Sequence, residues 1–157
     1  ERFQDAAMDM VRLGIGIYGS SSHRQKELMT VGKLKTTIIQ IKDVPPNETI
    51  GYSRKGKFNE QKTIGIVPIG YADGLNRLLS NGRGYVVVRN EKAPIVGNIC
   101  MDMTMIDISN IPAKVNDEVV IFGEKPSLNE VAEKTETIPY EVLTGISQRV
   151  KRVYYRS

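Results

Sequence analysis

Residues 93–109, APIVGNICMDMTMIDIS, form the longest apolar stretch of the chain. Its Ile, Val, Thr and Met side chains suit a pleated, half-buried surface, and Gly97 predicts a bulge or bend within it. Asp102 and Asp107 are embedded in this stretch, and a carboxylate in a β core needs a partner because an unpaired buried charge is costly. Strand patterns continue on both sides. TIGIVPIG (63–70) is apolar throughout, GYVVVRN (84–90) is short and β-branched, and DEVVIFG (117–123) alternates and ends on glycine. LKTTIIQIKDV (34–44) alternates until Pro45-Pro46 stops it. Five or more strands separated by Gly, Pro, Asn and Asp predict a barrel or a sandwich.

The two ends read differently. In DMVRLGIGIYG (9–19) Val11, Leu13, Ile15 and Ile17 alternate with Gly14 and Gly16 between them, which predicts a strand with one bare face. The polar SSSHRQKE that follows reads as a loop or linker. In the last third, Ser127 and Glu130 form a capping-box pattern ahead of Leu128, Val131 and Ala132. Pro139 opens a second helix, PYEVLTGISQRV, with Leu143, Ile146 and Val150 as its apolar stripe. VYY (153–155) reads as a final short strand.

Composition removes several function classes. The chain has 157 residues, 40% of them hydrophobic, enough for one domain without a disulfide or metal staple. The lone Cys100 excludes an internal disulfide and a cysteine-ligated metal site. The lone His23 weighs against zinc chemistry and against a histidine triad on this chain. No apolar run reaches membrane-spanning length, and with no signal peptide in view the expected location is cytoplasmic. Glu1 in place of a starting methionine suggests a piece of a longer protein. Net charge is +4, so nucleic acid and small anions both come into question as partners.

Five places carry candidate chemistry, each beside a plainer structural reading. Arg12, within VRLGIGIYG, is either a paired strand-end cation or a guanidinium beside amides bared by Gly14 and Gly16. Tyr52, within GYSRKG, sits in a turn near Arg54, Lys55 and Lys57. It is either part of a solvated basic rim or a phenol whose ionised form those cations favour. PIGYADG (68–74) ends in an Asp73-Gly74 turn, which leaves Tyr71 and nearby Arg77 without a structural account. Asp102 and Asp107 are either structural ion-pair members or site residues, and Cys100 reads as a small buried side chain. Tyr140, in the first turn of a helix, is either a core aromatic or a hydroxyl placed for a phosphate. The chain has no phosphate-binding glycine loop of the G-x-x-x-x-G-K type, no metal-ligand cluster and no G-x-S-x-G.

Taken together, VRLGIGIYG, GYSRKGKF, PIGYADG, APIVGNICMDM and TIPYEV resemble the C-terminal part of bacterial alanine racemases, from about Met10 to Tyr155. The resemblance implies a mainly β domain, a partly open Greek-key-like barrel of about six or more strands with two or three short helices. Residues 1–22 would be the last strand of an otherwise absent α/β barrel domain and a linker, and residues 23–157 the β domain. It also implies pyridoxal phosphate as cofactor, held on a lysine outside this chain. The implied reaction is interconversion of L- and D-alanine for peptidoglycan, in a homodimer, with no nucleic-acid or membrane partner and with no resident metal.

The same resemblance assigns roles by motif. Tyr52 would be the catalytic acid or base, reaching the partner subunit's site on the face opposite the lysine. Arg12 would face the cofactor's pyridine nitrogen, and as a cation that gives up its proton with difficulty it would leave that nitrogen largely unprotonated. Gly14 and Ile15, through backbone N–H groups, and Tyr140, through its hydroxyl, would hold the cofactor phosphate. Met101 N–H would hold the substrate carboxylate, and Tyr71 and Arg77 would line the access corridor. One position departs from the pattern: Asn98 stands where many family members carry arginine, so a corridor charge is replaced or absent. The fragment alone is expected to be inactive. The alternatives are a racemase for another amino acid, such as serine or lysine, and a basic β-barrel that binds single-stranded nucleic acid. The second is disfavoured by the absence of Trp and by only 3 Phe.

Overall fold

The computed structural model describes residues 9–21 and 27–155. Its strands are β1 Leu34–Thr37, β2 Gln40–Val44, β3 Thr49–Ile50, β4 Gly56–Lys57, β5 Lys62–Val67, β6 Tyr85–Val88, β7 Glu91–Val96, β8 Thr104–Asp107 and β9 Glu118–Phe122. Two helices follow, α1 Leu128–Lys134 and α2 Pro139–Thr144. Seven strands form one antiparallel sheet in the order β1-β9-β6-β7-β8-β5-β2, and β3 and β4 form a separate hairpin.

Strands β1 and β2 lie at opposite edges of that order, yet only Ile38 and Ile39 separate them along the chain. A step that short spans about 10 Å at most, so the sheet must curl until its edges approach. The corner shows in the backbone hydrogen bonds. Ile38 N–H donates to the Asp117 carbonyl beside β9 at 3.0 Å, and Ile39 N–H donates to the Ile66 carbonyl of β5 at 2.9 Å. The stretch 34–44 is therefore two strands rather than the single one its alternation predicts. Strands β6, β7 and β8 meander and β9 returns beside β6, which is the Greek-key order. The expected mainly β, Greek-key-like half-barrel with two short helices is the observed fold.

The strands' inward residues fill the curl, with Val67, Val88, Ile106 and Val119 at most 0% exposed. Both helices pack on the same core through Val131, Val142 and Leu143. Helix α1 starts at Ser127, whose Oγ accepts the Glu130 N–H at 3.1 Å. The Tyr85 hydroxyl donates to Glu130 Oε2 at 2.9 Å, tying α1 to β6. Burial, reinforced by that carboxylate, pushes the Tyr85 phenol up to about 12, so it stays a donor. Helix α2 is shorter than its sequence pattern, ending at Thr144, but Ile146 and Val150 beyond it still pack on the core. A smaller apolar cluster fixes the β3–β4 hairpin: Ile50 packs with Val44, Ile64, Val96 and Met105.

Three expectations are corrected. Residues 9–14 form no strand, and Ile15–Tyr18 is a 3-10 turn. No described strand pairs with residues 9–19, and an isolated strand leaves its backbone groups unsatisfied. Residues 153–155 are likewise outside any strand. Gly97 is a bend, as expected, but the 93–109 stretch that it interrupts is two strands, β7 and β8, and not one. His23 and the proposed 22/23 boundary lie outside the described residues. Among the described residues no helix is long and apolar enough to cross a membrane.

The corner predicts an asymmetry between its two isoleucines. Ile38 is fully buried and Ile39 is 46% exposed. Ile38→Ala is expected to lower stability by about 3 kcal/mol, and Ile39→Ala by under about 1 kcal/mol, read as urea midpoints at unchanged slope.

Candidate active site

Tyr52 occupies the tip of the β3–β4 hairpin. Gly51 there has φ 73° and ψ −179°, a conformation essentially reserved for glycine. Ser53 and Arg54 follow with φ 59° and 51°, both left-handed, at roughly 1 kcal/mol or more each. The turn holds the Tyr52 ring out, 70% exposed. Arg54 Nε donates to Thr49 Oγ1 at 3.1 Å, which turns that cation back along the hairpin.

The hairpin docks on the loop between β7 and β8. A side chain at Gly97, which has φ 63°, would place its first carbon 3.0 Å from the Ile50 carbonyl oxygen. Next along, Asn98 Nδ2 donates to the Tyr52 carbonyl at 3.1 Å, and Asn98 Oδ1 accepts from Asn81 Nδ2 at 3.1 Å. Cys100 is partly buried rather than fully so. Burial raises its thiol pKa, and the nearby Arg77 charge offsets part of that.

The middle of the same loop meets the GYADG turn. At Gly70 an added Cβ would lie 2.3 Å from the carbonyl oxygens of both Cys100 and Met101, so only glycine permits the approach. Tyr71 N–H donates to the Cys100 carbonyl and Ala72 N–H to the Met101 carbonyl, each at 3.0 Å. In a trans peptide the C=O and N–H point in opposite directions. Anchoring the Cys100 carbonyl on Tyr71 therefore turns the Met101 N–H away from the turn. That N–H has no hydrogen-bond acceptor among the described residues, and Met101 is 53% exposed. Arg77 lies over the Tyr71 ring, 5.8 Å from its centre. Tyr71 and Arg77 also line a cleft of about 310 Å³ that runs beside α2.

One arginine locks this arrangement. Arg149 Nε donates to Asp73 Oδ1 at 2.7 Å and Arg149 Nη2 to Asp102 Oδ1 at 2.5 Å. The other oxygen of Asp73 accepts the Gly70 N–H at 2.8 Å. Burial alone would raise the Asp73 pKa; the hydrogen bonds from Arg149 and Gly70 and the Arg149 charge outweigh it and hold the carboxyl below its usual range. Asp102 is exposed, on the loop and not in the core. Asp107, on β8, is a structural acid: its pKa is lowered, because Ser109 and Lys62 together outweigh its burial. Sequence reasoning did not single out Arg149. The available signal was that Asp73 and Asp102 each needed a cation, and the segment ISQRVKR supplies several.

A second set of residues meets elsewhere. A Cβ at Gly14 would lie 3.0 Å from the Tyr140 hydroxyl, so the bare glycine lets that hydroxyl approach the backbone. Gly14 and Ile15 open the 3-10 turn, whose first N–H groups have no partner within the turn. Arg12 is exposed two residues earlier. Ser20 Oγ donates to Asn129 Oδ1 at 2.6 Å and Asn129 Nδ2 to the Ser21 carbonyl at 3.0 Å, which holds this segment against α1. Of the predicted residues, Tyr52, Met101, Tyr71 and Arg77 thus gather around the 97–103 loop, and Gly14, Ile15 and Tyr140 gather around the turn.

This half-barrel with its docked hairpin superposes on part of the solved structures of alanine racemases. The alanine racemase of Clostridium difficile in complex with cycloserine superposes with a TM-score of 0.83 at 42% identity, covering 90% of this chain and 39% of that one. The alanine racemase of Bartonella henselae with covalently bound pyridoxal phosphate gives 0.86 at 34% identity, covering 94% and 42%. Alanine racemase 2 of Caldanaerobacter subterraneus subsp. tengcongensis is 47% identical over 158 residues, covering 95% of this chain and 40% of the relative. The profile of the family described as "Alanine racemase, C-terminal domain" matches residues 31–154. The chain belongs to that family, and it spans about two-fifths of the length of these relatives.

The Asp73–Arg149 pair sets an acid dependence. A carboxyl whose pKa is lowered by folding adds stability above its unfolded value near 4, and that contribution fades as pH falls through the folded value. Wild-type stability is expected to drop between pH 5 and pH 3 by urea midpoint. Arg149→Met should be less stable at pH 7 and show a flatter drop, because Asp73 then no longer gains from ionisation.

Proposed function

We propose that this chain is the C-terminal domain of a pyridoxal-phosphate-dependent racemase that interconverts L- and D-alanine, working as a homodimer. Tyr52 is the group that moves a proton on one face of the substrate α-carbon, in the partner subunit's site. The reading is carried by the 97–103 loop, which gathers at one place the phenol-bearing hairpin, the outward Met101 N–H and the Tyr71–Arg77 pair.

The residues at the turn fit the cofactor's phosphate. The absent side chain at Gly14 leaves room for the Tyr140 hydroxyl, and the backbone N–H groups of Gly14 and Ile15 stand at the start of the adjoining turn. Those three donors would hold the phosphate, with Arg12 toward the ring nitrogen. When bound, pyridoxal phosphate supplies a conjugated ring that delocalises charge left at the α-carbon.

The chain's own residues supply the rest. Met101 N–H binds the substrate carboxylate and so orients the α-carbon. A tyrosine is a poor base when free, with a pKa of about 10, but inverting a stereocentre needs one proton-transfer group on each face. The exposed ring at the hairpin tip provides the second face. Tyr71 with Arg77 stacked on it narrows the approach to the site and places a positive charge where a carboxylate enters. The product, D-alanine, suits peptidoglycan synthesis.

In the full-length enzyme, Tyr52→Phe is expected to lower racemisation by at least about a hundredfold, while α-proton exchange with solvent from the opposite face persists in one enantiomer. Equal loss of exchange from both enantiomers, or unchanged racemisation, refutes the role. The isolated chain is expected to show no racemisation in a coupled D-alanine assay.

A further inference from the structure

We propose that Asn98 is the positioning residue of the Tyr52 phenol, joining the catalytic hairpin to the loop that carries Arg77. The inference rests on the reading of Tyr52 given above and adds to it the element that holds the phenol in place.

The hairpin tip is short of support of its own. β3 and β4 share only two residue pairs, and a hairpin that small is marginal in water. Its turn contains two left-handed non-glycine residues, Ser53 and Arg54. The apolar anchor, Ile50, lies two residues before Tyr52 and fixes the base of the hairpin, not its tip. The turn's internal bond, from the Arg54 N–H to the Gly51 carbonyl, is long at 3.3 Å. At the tip, the Tyr52 carbonyl accepts from Asn98 Nδ2 at 3.1 Å.

Asn98 is in turn oriented by its neighbours. Its Oδ1 accepts from Asn81 Nδ2 at 3.1 Å, and the Asn81 backbone N–H donates to the Gly97 carbonyl at 3.0 Å. Rotating the Asn98 amide by half a turn would set oxygen against the Tyr52 carbonyl, which can only accept, so that contact fixes its orientation. Asn81 lies four residues after Arg77, on the turn-rich connection between β5 and β6. The amide therefore connects the access-corridor loop, the 97–103 loop and the phenol. A neutral amide does this because it donates on one side and accepts on the other. An arginine only donates, so it could serve the Tyr52 carbonyl but would meet Asn81 only through that residue's own amide oxygen.

The test is made in the full-length dimeric holoenzyme with N98A, N98D, N81A and, alongside, Y52F. N98D keeps the shape and the acceptor for Asn81 but sets a carboxylate oxygen against the Tyr52 carbonyl. N98A and N98D are expected to lower kcat about tenfold with KM within about twofold. N81A should give a smaller fall of the same kind. Amide exchange should quicken in the 49–58 hairpin and stay unchanged in β6 to β9. Wild-type kcat in N98A and N98D beside an inactive Y52F overturns the positioning role and leaves Tyr52 in its role. A fully active Y52F removes both. Faster exchange throughout the barrel, or a change in KM alone, makes Asn98 a structural or substrate-side residue and overturns the inference.

Discussion

The arrangement of the site depends on one guanidinium shared by two carboxylates. Asp73, Asp102 and Arg149 lie far apart in the chain, and Arg149 bonds both acids at 2.7 and 2.5 Å. Asp73 is buried, and a buried carboxylate without a partner would be costly. With the charge compensated, its second oxygen is committed to the Gly70 N–H, which closes the GYADG turn. The closed turn then presents the Tyr71 and Ala72 N–H groups to the 97–103 loop. The direction of the Met101 N–H follows from that chain of contacts. Arginine suits the position because its planar fork reaches two acceptors at fixed angles, which a lysine point charge does not.

Close backbone approach is the second constraint, and it explains where the glycines fall. Gly70 lets the turn reach two carbonyl oxygens in the middle of the 97–103 loop, and Gly97 lets the hairpin base reach the start of that loop. The loop is held between two elements that would each be pushed off by a single methyl group. Loops carry function when a rigid scaffold positions them. Here the scaffold is the curled sheet, and the loop's geometry is copied from contacts at its start and its middle.

Much of the fold was legible in the sequence, because alternation and punctuation report strands directly. β5, β6, β9 and α1 fall where their patterns place them. What could not be read was any relation set by the tertiary curl. Ile38 and Ile39 continue the alternation of 34–44 without a breaker, yet the chain changes sheet edges between them, since a barrel corner needs only a change of hydrogen-bond partner. The strand expected at 9–19 failed for the opposite reason: its pattern is that of a strand, but strand identity requires a neighbour. Within the site, motif residues with chemistry of their own, such as Tyr52 and Tyr140, stood out. Arg149 did not, because an arginine among several in a basic tail acquires meaning only through the acids that it meets. The Asn98 amide was visible only as a departure, and its two partners are 17 and 46 residues away.

The distribution of strain follows the division between scaffold and tip. Strands β5 to β9 are paired on both sides, with interior side chains fully buried, and can absorb no misplacement without losing core contacts. The left-handed residues cluster instead in the connections: Ser53 and Arg54 at the hairpin tip, Asn81 in the connection that carries Arg77. Such residues persist only where surrounding contacts over-determine them. At the tip those contacts are few, namely the Ile50 cluster at the base and polar bonds at the turn. The Tyr52 phenol is therefore placed on the least self-sufficient element of the domain. Its accuracy comes from the loop it rests on, and the loop's from the arginine fork and the glycine contacts behind it.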